Sequence, residues 1–493
     1  MNPKGTTQMN SNLTISQNLI PSKDNGILAG KTLAVSHKPI HEHNPVSSNI
    51  YFADPTVVEY NGRLYVYGTN DSQEYDKCDG SRPNSYGGIN SLVCYSTEDM
   101  VNWTYENTIK VTEICTWAGC SWAPSIVSRV EADGLTHFYL YFCNSGNGIG
   151  VLTSTSPVGP WSDPNGKALM HNGLLGNDPT CWCFDPGVCI DDNGVGWLAF
   201  GGGNPLHEGE NALYTGNSRI VKLGADMVSL DSEVVVLKSP YHFEANELNF
   251  INGTYVLTYC SNWAKRELWE DKFKFDKPHV CSMCYCVSKD PLNPDSWEYM
   301  GEYLLNPDQF GYPGSNNHTH MHKFGDKYYI FYQNVSLAEN KGEQIRGYRS
   351  IGVDEIEVDE NAVVIKSGRM TDAGCTQLKN FDPYAVNSAN TSAHSAGVKY
   401  DAQFKATVTD GSYIALKNVD FLGGAAKFAA TLCGKGAIEV RLDDVTSEAV
   451  CTLQFDSADF ITVVNDMCKS AEGVHDLYLV CGGEFTFDCW QFA

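Results

Sequence analysis

The sequence contains no long apolar run and little positive charge. Its 493 residues include 34 Lys and Arg against 59 Asp and Glu, which gives a formal net charge of −25 at pH 7. No stretch approaches the roughly 20 apolar residues that a membrane-spanning helix needs, and the first 21 residues lack the apolar segment of a secretory signal. Like charges repel, so we expect neither nucleic acid nor an anionic membrane as a partner. The chain as written is expected to be cytoplasmic, or secreted if a signal was removed.

Paired metal-binding cysteine motifs are also missing. The chain has 18 cysteines, and Cys281 and Cys284 have CxxC spacing, with Cys286 and Cys260 nearby in sequence. Without a second paired motif, this cluster is better interpreted as reduced, buried cysteines. A zinc site remains the alternative.

Aromatic residues, in contrast, are frequent and recur in short strands. Five segments each follow a turn dipeptide of the Asn-Gly or Asp-Gly kind that closes tight hairpins. They are RLYVYGT (63–69), THFYLYF (136–142), VGWLAFGG (from 195), TYVLTYC (from 254) and KYYIFYQN (from 327). The turns lie about 60 to 70 residues apart, which leaves room for a four-stranded blade in each interval. The spacing predicts an all-β, five-bladed β-propeller; a sandwich would place its turns every ~8 to 12 residues.

The repeat ends near residue 370, where a stretch rich in Gly, Ser, Ala and Asn begins. The alternating segments that follow predict a small β-sandwich, jelly-roll-like module. We therefore expect a leader over 1–45, a propeller over 46–370 and the module over 371–493.

Three repeats carry an acidic residue at a similar offset before the turn. Asp54 lies seven residues before its turn asparagine, and Asp185 and Glu244 lie eight before theirs. If these hairpins contain the innermost blade strands, the three acids converge at the mouth of the central channel. Acids in loops more often only cap turns. Three at matching offsets instead favour glycoside hydrolysis, which needs one protonated carboxyl group and one ionised carboxylate.

At these motifs the sequence resembles glycoside hydrolase family 43, of the arabinoxylan arabinofuranohydrolase and β-xylosidase type. The resemblance runs from about 47 to 365 through YFADPTVVEYNGRLYVYGTND, SWAPSIV, FDPGVCIDDNG, FEANELNFINGTYVLTYCSNW and SNNHTHMHKFGDKYYIFYQN. It implies an inverting mechanism with Asp54 as general base, Asp185 as pKa modulator and Glu244 as general acid. Glu247 is the competing candidate for the acid.

The same resemblance implies further site residues. It places His318 near a calcium ion at the propeller centre, held largely by water, and implies no organic cofactor. Arg349 is a candidate for fixing the substrate. Trp122, in SWAPSIV, is a candidate for stacking on a sugar ring, with core packing as the alternative.

The tail resembles a family 6 carbohydrate-binding module but departs from its pattern. Asn387 and Asn390 stand where calcium-binding acids are usual, and Phe460 and Gly483 stand near the expected ligand cleft. Cys489 replaces a second tryptophan. These departures predict that sugar binding by the module is weakened, moved or lost.

The expected function is therefore an α-L-arabinofuranosidase acting on arabinoxylan, with xylo-oligosaccharides as the alternative substrate of a β-xylosidase. An endo-arabinanase is a further alternative within the glycosidases. A fructan-processing propeller would carry an Asn-Asp-Pro-Asn-like opening where this chain has ADPT. A non-catalytic carbohydrate-binding propeller would not need convergent acids.

Overall fold

The fold was analysed in a computed structural model that describes residues 32–203 and 213–493. Five antiparallel sheets form the blades of a propeller, and a sheet of long, bent strands forms a sandwich behind it. The predicted all-β class, the five blades and the C-terminal sandwich are confirmed.

Each blade begins with the strand that lies closest to the central channel. Strand β1 contacts the first strands of both neighbouring blades, so the ring is closed. Blade 1 contains β1 (Ala53–Tyr60), β2 (Arg63–Thr69), β3 (Leu92–Thr97) and β4 (Trp103–Ile109). Blade 2 contains β5 (Trp122–Val130), β6 (Thr136–Cys143), β7 (Gly148–Ser154) and β8 (Met170–His171). Blade 3 contains β9 (Gly187–Ile190), β10 (Gly196–Phe200), β11 (Arg219–Lys222) and β12 (Val235–Val236). Blade 4 contains β13 (His242–Ile251), β14 (Thr254–Ser261), β15 (Met283–Ser288) and β16 (Glu298–Leu304). Blade 5 contains β17 (Thr319–Phe324), β18 (Lys327–Asn334) and β19 (Ser350–Ile356).

The recurring turn dipeptides join the first and second strands of the blades. In blade 1, Tyr60 pairs with Arg63, and the intervening Asn61 and Gly62 have φ of 52° and 74°. Two successive positive φ angles are what a tight hairpin needs, and Asn and Gly tolerate them best. The aromatic segments of the sequence are therefore the second strands, and the acids precede or begin the first strands.

The edge of blade 5 is covered by the segment that precedes blade 1. The backbone N–H of Val46 donates to the carbonyl of Ile351 at 2.8 Å, and the Asn44 side chain bonds both the N–H and the carbonyl of Val353. Hydrogen bonds from outside the blade therefore satisfy the groups that a fourth strand would pair.

The sandwich is built around one core shared by its long strands. The core includes Leu432, Ile438, Phe487 and Trp490. A short hairpin, β20 (Val358–Asp359) with β21 (Val364–Ile365), lies between the propeller and the module. The strands that follow are β22 (Asn387–Ser388), β23 (Thr391–Ser392), β24 (His394–Ala396), β25 (Lys399–Tyr400), β26 (Ala406–Val408), β27 (Tyr413–Asp420), β28 (Ala425–Leu442), β29 (Cys451–Ala471) and β30 (Val474–Phe492).

One strand from the C-terminal part belongs to the propeller. Strand β23 pairs with β4 and makes a fifth strand of blade 1. Next to it, the Asn390 amide donates to the carbonyls of Tyr105 in blade 1 and Phe404 in the module. The ring of Tyr400 stacks on Tyr105 with centroids 4.0 Å apart. Blade 1 and the module are thus joined by backbone pairing as well as by side chains.

The predicted leader, 1–45, lies outside the described residues up to position 31. From residue 32 onward it packs against both domains: Leu33 lies in a cluster with Tyr413 and Tyr478 of the module, and the Asn44 side chain bonds Val353 of blade 5.

Helices are short in the described part of the chain. The α-helices are α1 (Ser72–Tyr75), α2 (Val111–Ile114) and α3 (Ser336–Asn340), with 3-10 turns at Asn172–Leu175 and Pro307–Phe310. Within these described ranges no helix has the length and apolar character needed to cross a bilayer.

Candidate active site

The first strands of blades 1 and 4 have the same irregularity near the end where the acids lie. Asp54, Asp185 and Ala245 have φ of 53°, 44° and 61°, and the register of β1 and β13 shifts at this point. A residue with a side chain adopts positive φ at a cost of roughly 1 kcal/mol, and such strain is common at functional sites. Asp54 and Asp185 occupy the strained position, whereas Glu244 precedes it. The three acids therefore do not share one structural position. Glu244, which has the longest side chain of the three, lies one residue before the position that Asp54 and Asp185 occupy in their blades.

Asp54 is held as an ionised carboxylate. Its Oδ1 accepts a hydrogen bond from Arg349 Nη1 at 2.8 Å and lies 3.4 Å from His318 Nδ1, and its backbone N–H donates to Gln333 Oε1 at 2.9 Å. Burial alone would raise the pKa of Asp54, but the charges of Arg349 and His318 outweigh it and hold that pKa well below its usual range. An ionised carboxylate in this position suits a general base.

Arg349 contacts two carboxylates. Its Nε donates to Asp71 Oδ2 at 2.9 Å and its Nη2 donates to Asp71 Oδ1 at 2.9 Å, while Nη1 reaches Asp54. The guanidinium carbon also lies 5.0 Å from the centre of the Tyr86 ring. The geometry fixes Arg349 in the pocket wall, where it lies beside the candidate base.

Glu244 and Asp185 are placed where ionisation is unfavourable. Burial and then the charge of Asp185 raise the pKa of Glu244 well above its usual value. Burial also raises the pKa of Asp185 to about 6, with His318 opposing and Asp54 reinforcing this shift. Asp185 Oδ2 accepts the backbone N–H of Ala245 at 2.8 Å, which ties blade 3 to blade 4. A carboxyl group that stays protonated near neutral pH suits a general acid.

Glu247, the competing candidate, lies deeper in the channel. It is completely buried, and its Oε1 lies 3.3 Å from His320 Nδ1. It does not line the pocket that contains the other three acids. Burial raises the pKa of Glu247 well above its usual value and lowers the pKa of His320 to about 3, so burial disfavours the charged form of both side chains. Glu244 is therefore the glutamate that faces the pocket.

These acids line one pocket at the top of the propeller, with a volume of about 460 Å³. Trp122 forms part of the wall, and its indole N–H donates to the Tyr86 carbonyl at 3.0 Å, which leaves the ring in the pocket. The pocket is lined by residues that include Asp54, Tyr86, Trp122, Phe184, Asp185, Glu244, Asn316, His318, Gln333, Ile345 and Arg349.

A larger groove, of about 940 Å³, runs along the outer edge of blade 5. Its charged side chains include Lys327 and Glu355, which form an exposed ion pair at 2.8 Å. We assign the site to the smaller pocket, because only there do buried acids converge among the described cavities.

The fifth-blade histidine lies beside the candidate base. Burial lowers the pKa of His318, but the hydrogen bond and charge of Asp54 outweigh this effect and leave the pKa raised. Its Nε2 is buried and has no hydrogen-bond partner in the described part of the chain.

Cysteines form no metal centre in the described ranges, where no group of three or more His, Cys, Asp or Glu side chains is placed to hold an ion. The sulfurs of Cys260 and Cys281 lie 3.4 Å apart, whereas Cys284 and Cys286 lie in β15 among hydrophobic residues. All 18 cysteines are free in the structure.

The module departs from its family at the predicted positions. The Asn387 amide donates to the carbonyls of Asp382 and Ala385, so its nitrogen is used in hydrogen bonds within the module. A Cβ at Gly483 would lie 2.5 Å from the Lys435 carbonyl, which leaves no room for a side chain there. Phe460 is exposed, but Lys405 lies 5.3 Å from the centre of its ring. Cys489 lies in β30, opposite Ser388.

Several site residues were not predicted from the sequence. Asp71 follows β2, Gln333 is the next-to-last residue of β18, and Asn316 and Trp263 lie in loops at the same end of the propeller. Asn316 and Trp263 lie inside the motifs SNNHTH and CSNW. Their closeness in sequence to His318 and to β14 could have marked them as site residues.

One pocket of this five-bladed propeller holds a carboxylate with a lowered pKa and a carboxyl group with a raised pKa, the pair that a glycoside hydrolase needs. A model of the glycosyl hydrolases family 43 matches residues 42–363, and a model of the carbohydrate binding module family 6 matches residues 385–493. The chain therefore belongs to glycosyl hydrolase family 43.

Named relatives cover almost the whole chain. An arabinoxylan arabinofuranohydrolase of Bacillus subtilis is 34% identical over 92% of this chain and 93% of its own length. An arabinoxylan arabinofuranohydrolase of Paenibacillus polymyxa is 33% identical over 91% of this chain and 74% of its own length. The solved structure of a Bacillus subtilis family 43 arabinoxylan arabinofuranohydrolase, in complex with cellotetraose, has a TM-score of 0.84 and 32% identity over 94% of this chain and 99% of that one.

Proposed function

We propose that this glycoside hydrolase is an inverting α-L-arabinofuranosidase that releases arabinose side chains from arabinoxylan. The observation that carries the proposal is the geometry of one pocket, in which Asp54 accepts a hydrogen bond from the Arg349 guanidinium and has a lowered pKa, whereas burial and the charge of Asp185 raise the pKa of Glu244. Two relatives that cover most of the chain are arabinoxylan arabinofuranohydrolases, which supports the choice of sugar.

Each acid has one role in the proposed mechanism. Asp54 accepts a proton from a water molecule, which then attacks the anomeric carbon of the bound sugar. Glu244 gives its proton to the departing glycosidic oxygen on the other side of the ring, so the anomeric configuration inverts. Asp185, which bonds the backbone beside Glu244, opposes ionisation of that acid by its own charge. Arg349 positions Asp54 and keeps it ionised.

Exposed aromatic side chains around the pocket suit a polymer main chain. Trp182 is 43% exposed and packs edge-on against Phe184 of the pocket wall at 6.1 Å between ring centres. Trp263 is 50% exposed and bonds Asn316, on the blade 4 side of the pocket. Sugar rings stack on such faces. We infer that the xylan main chain crosses the pocket mouth over these two tryptophans while one side-chain sugar enters the pocket.

A calcium ion at the propeller centre fits one feature of the site. The buried Nε2 of His318 lacks a protein partner in the described ranges and, with the imidazole ring neutral, would be the one ring-nitrogen ligand of the ion, with water completing the shell. Such an ion would supply, in place of a protonated His318, positive charge that favours the ionised form of Asp54. Calorimetric titration with calcium tests this: wild type should bind one ion, and His318→Ala should not. Equal binding by both proteins would refute the assignment.

A panel of aryl glycosides with arabinoxylan and linear xylan tests the proposed substrate. Free arabinose as the sole product from arabinoxylan supports the proposal, whereas xylose released from xylo-oligosaccharides would support the β-xylosidase. Xylo-oligosaccharides are included because the chain is 26% identical, over 64% of its length, to a xylosidase/arabinosidase of Bacteroides ovatus. NMR of the first product anomer, before mutarotation, tests inversion.

Substitution of the two acids tests the mechanism. Asp54→Asn and Glu244→Gln should each lower hydrolysis of an unactivated substrate about a hundredfold or more. The matched control is Glu247→Gln, the same change three residues away. Loss of activity in the control, with normal activity in Glu244→Gln, would show that the acid was assigned to the wrong glutamate.

A further inference from the structure

A chain of two hydrogen bonds leads from the protein surface to the candidate general acid. The indole Nε1 of Trp263 donates to Asn316 Oδ1 at 3.1 Å, and Asn316 Nδ2 donates to Glu244 Oε1 at 2.7 Å. Trp263 follows β14 and is half-exposed, whereas Glu244 lies at the start of β13 in the pocket wall.

The donor and the acceptor of each of these two hydrogen bonds can be assigned in only one way. An indole N–H can only donate, so the amide oxygen of Asn316 must face Trp263. The amide nitrogen of Asn316 then faces Glu244, and because that nitrogen also can only donate, Oε1 of Glu244 must accept. An oxygen that accepts this bond is a poor place for the carboxyl proton, which therefore belongs on Oε2.

The backbone of Asn316 is held from the other side of the pocket. Its carbonyl accepts a hydrogen bond from Gln333 Nε2 at 3.0 Å, and Gln333 Oε1 accepts the N–H of Asp54 at 2.9 Å. The loop that carries Asn316 is thus fixed relative to both the candidate acid and the candidate base.

We propose that Trp263 and Asn316 are positioning residues that assign the catalytic proton to Oε2 of Glu244, the oxygen that delivers it to the departing sugar oxygen. The proposal rests on the proposed function, in which Glu244 is the general acid. Because the ring of Trp263 also faces the inferred path of the main chain, a polymer that stacks on it would immobilise the donor that orients the acid. Trp263 would then take part both in orienting Glu244 and in binding the main chain of the polymer.

The titration of Glu244 gives a readout that simple packing would not change. An N–H donor to Oε1 stabilises the ionised form, so its loss should raise the pKa of Glu244. Activity needs the protonated acid, so the basic limb of the kcat/KM profile should move to higher pH. The charged and titratable groups that face Glu244 are Asp185, Cys281, Cys260, Asp54, Arg349 and Tyr86, and all remain in the variants used below.

The test compares Asn316→Ala, Asn316→Asp and Trp263→Phe with wild type in the full chain. On arabinoxylan, kcat should fall about tenfold or more in each variant, within the range that general acid catalysis contributes. On a nitrophenyl arabinoside, whose leaving group needs little protonation, kcat should fall less than about threefold. The basic limb should move to higher pH in Asn316→Ala and further in Asn316→Asp, where a carboxylate faces Oε1.

Trp182→Phe is the matched control, because it makes the same change at the other exposed tryptophan. It should alter KM for the polymer and leave the position of the basic limb and the leaving-group dependence unchanged. Thermal unfolding monitors whether each variant is folded.

Two outcomes would overturn the proposal. One is wild-type kcat and an unmoved basic limb in Asn316→Ala and Trp263→Phe. The other is equal loss on both substrates with an unmoved limb, which would indicate a packing role. Failure of the proposed function is separable, since it would appear as normal activity in Glu244→Gln whatever the Asn316 variants do.

Discussion

Asp71 holds Arg349 through both of its carboxylate oxygens. Oδ2 accepts from the Arg349 backbone N–H at 3.0 Å as well as from Nε, and Oδ1 accepts from Nη2. This leaves Nη1 for Asp54. Asp71 is fully buried, so the orientation of Arg349 depends on a carboxylate that cannot be replaced by water.

Asp71→Asn should therefore weaken both stability and catalysis. Loss of one charge in a buried pair should lower the free energy of unfolding by about 2 to 4 kcal/mol. Activity should fall by about tenfold, because Arg349 no longer keeps a single orientation beside Asp54. Denaturant unfolding and kcat/KM measure the two effects. Glu98→Gln, at the partly exposed pair with Arg63, is the control and should change stability by less than about 1 kcal/mol.

Asp185→Asn should stabilise the protein at the cost of activity, and more so at alkaline pH. The folded-state pKa of Asp185 is raised to about 6, so the folded state holds a proton that the unfolded state has released. Stability attributable to this group therefore falls as pH rises from the unfolded pKa through the folded one. An asparagine carries no such penalty and can still accept the Ala245 N–H.

Melting temperatures of wild type and Asp185→Asn at pH 4.5 and pH 8 measure this difference. The gain from the substitution should be larger at pH 8. A gain that is equal at the two values, or larger at the lower one, would show that Asp185 is not held protonated in the folded state.

Glu247→Gln should change activity by less than about twofold. The side chain is fully buried, burial raises its pKa and so favours its neutral form, and glutamine has nearly the same shape. Steady-state kinetics on arabinoxylan check this, and a hundredfold loss would place Glu247 in the mechanism.

Removal of everything after residue 370 should lower soluble yield more than intrinsic activity. The cut removes β23 from the edge of blade 1 and uncovers Tyr105, which packs against Tyr400. Activity on polymer per folded molecule should fall no more than about severalfold, because Phe460 and Gly483 depart from the cleft pattern of the module family that the sequence resembles. Yield, melting temperature and specific activity are the measurements. Tight xylan binding by the isolated module would contradict the second expectation.

The sequence predicted those parts of the site that depend on local signals. Turn dipeptides such as Asn61-Gly62 located the hairpins, and the acids lay at nearly constant distances from them. The one-residue offset of Glu244 was not predicted, because it depends on a register shift in β13 that a period-two pattern does not show. Asp71 was missed for another reason: its partner is 278 positions away in the chain, and nothing local marks a buried carboxylate.

The place of β23 in blade 1 could not be predicted from composition either. The segment NSANTSAHSAG reads as a linker, yet Thr391 and Ser392 pair with β4. Two backbone-paired residues carry no hydrophobic pattern, so only the packing of the two domains determines this contact.

The covering of blade 5 by residues 44–46 sets an order on biosynthesis. Val46 leaves the ribosome about 300 residues before Ile351, the residue to which it bonds. At 5 to 20 residues per second, roughly 15 to 60 s separate the two. During that interval β19 has not been synthesised, so residues 44–46 have no strand to pair with and the ring cannot close. Ring closure therefore waits for blade 5, and we expect the propeller to open first at this contact between residues 44–46 and β19 under force or heat.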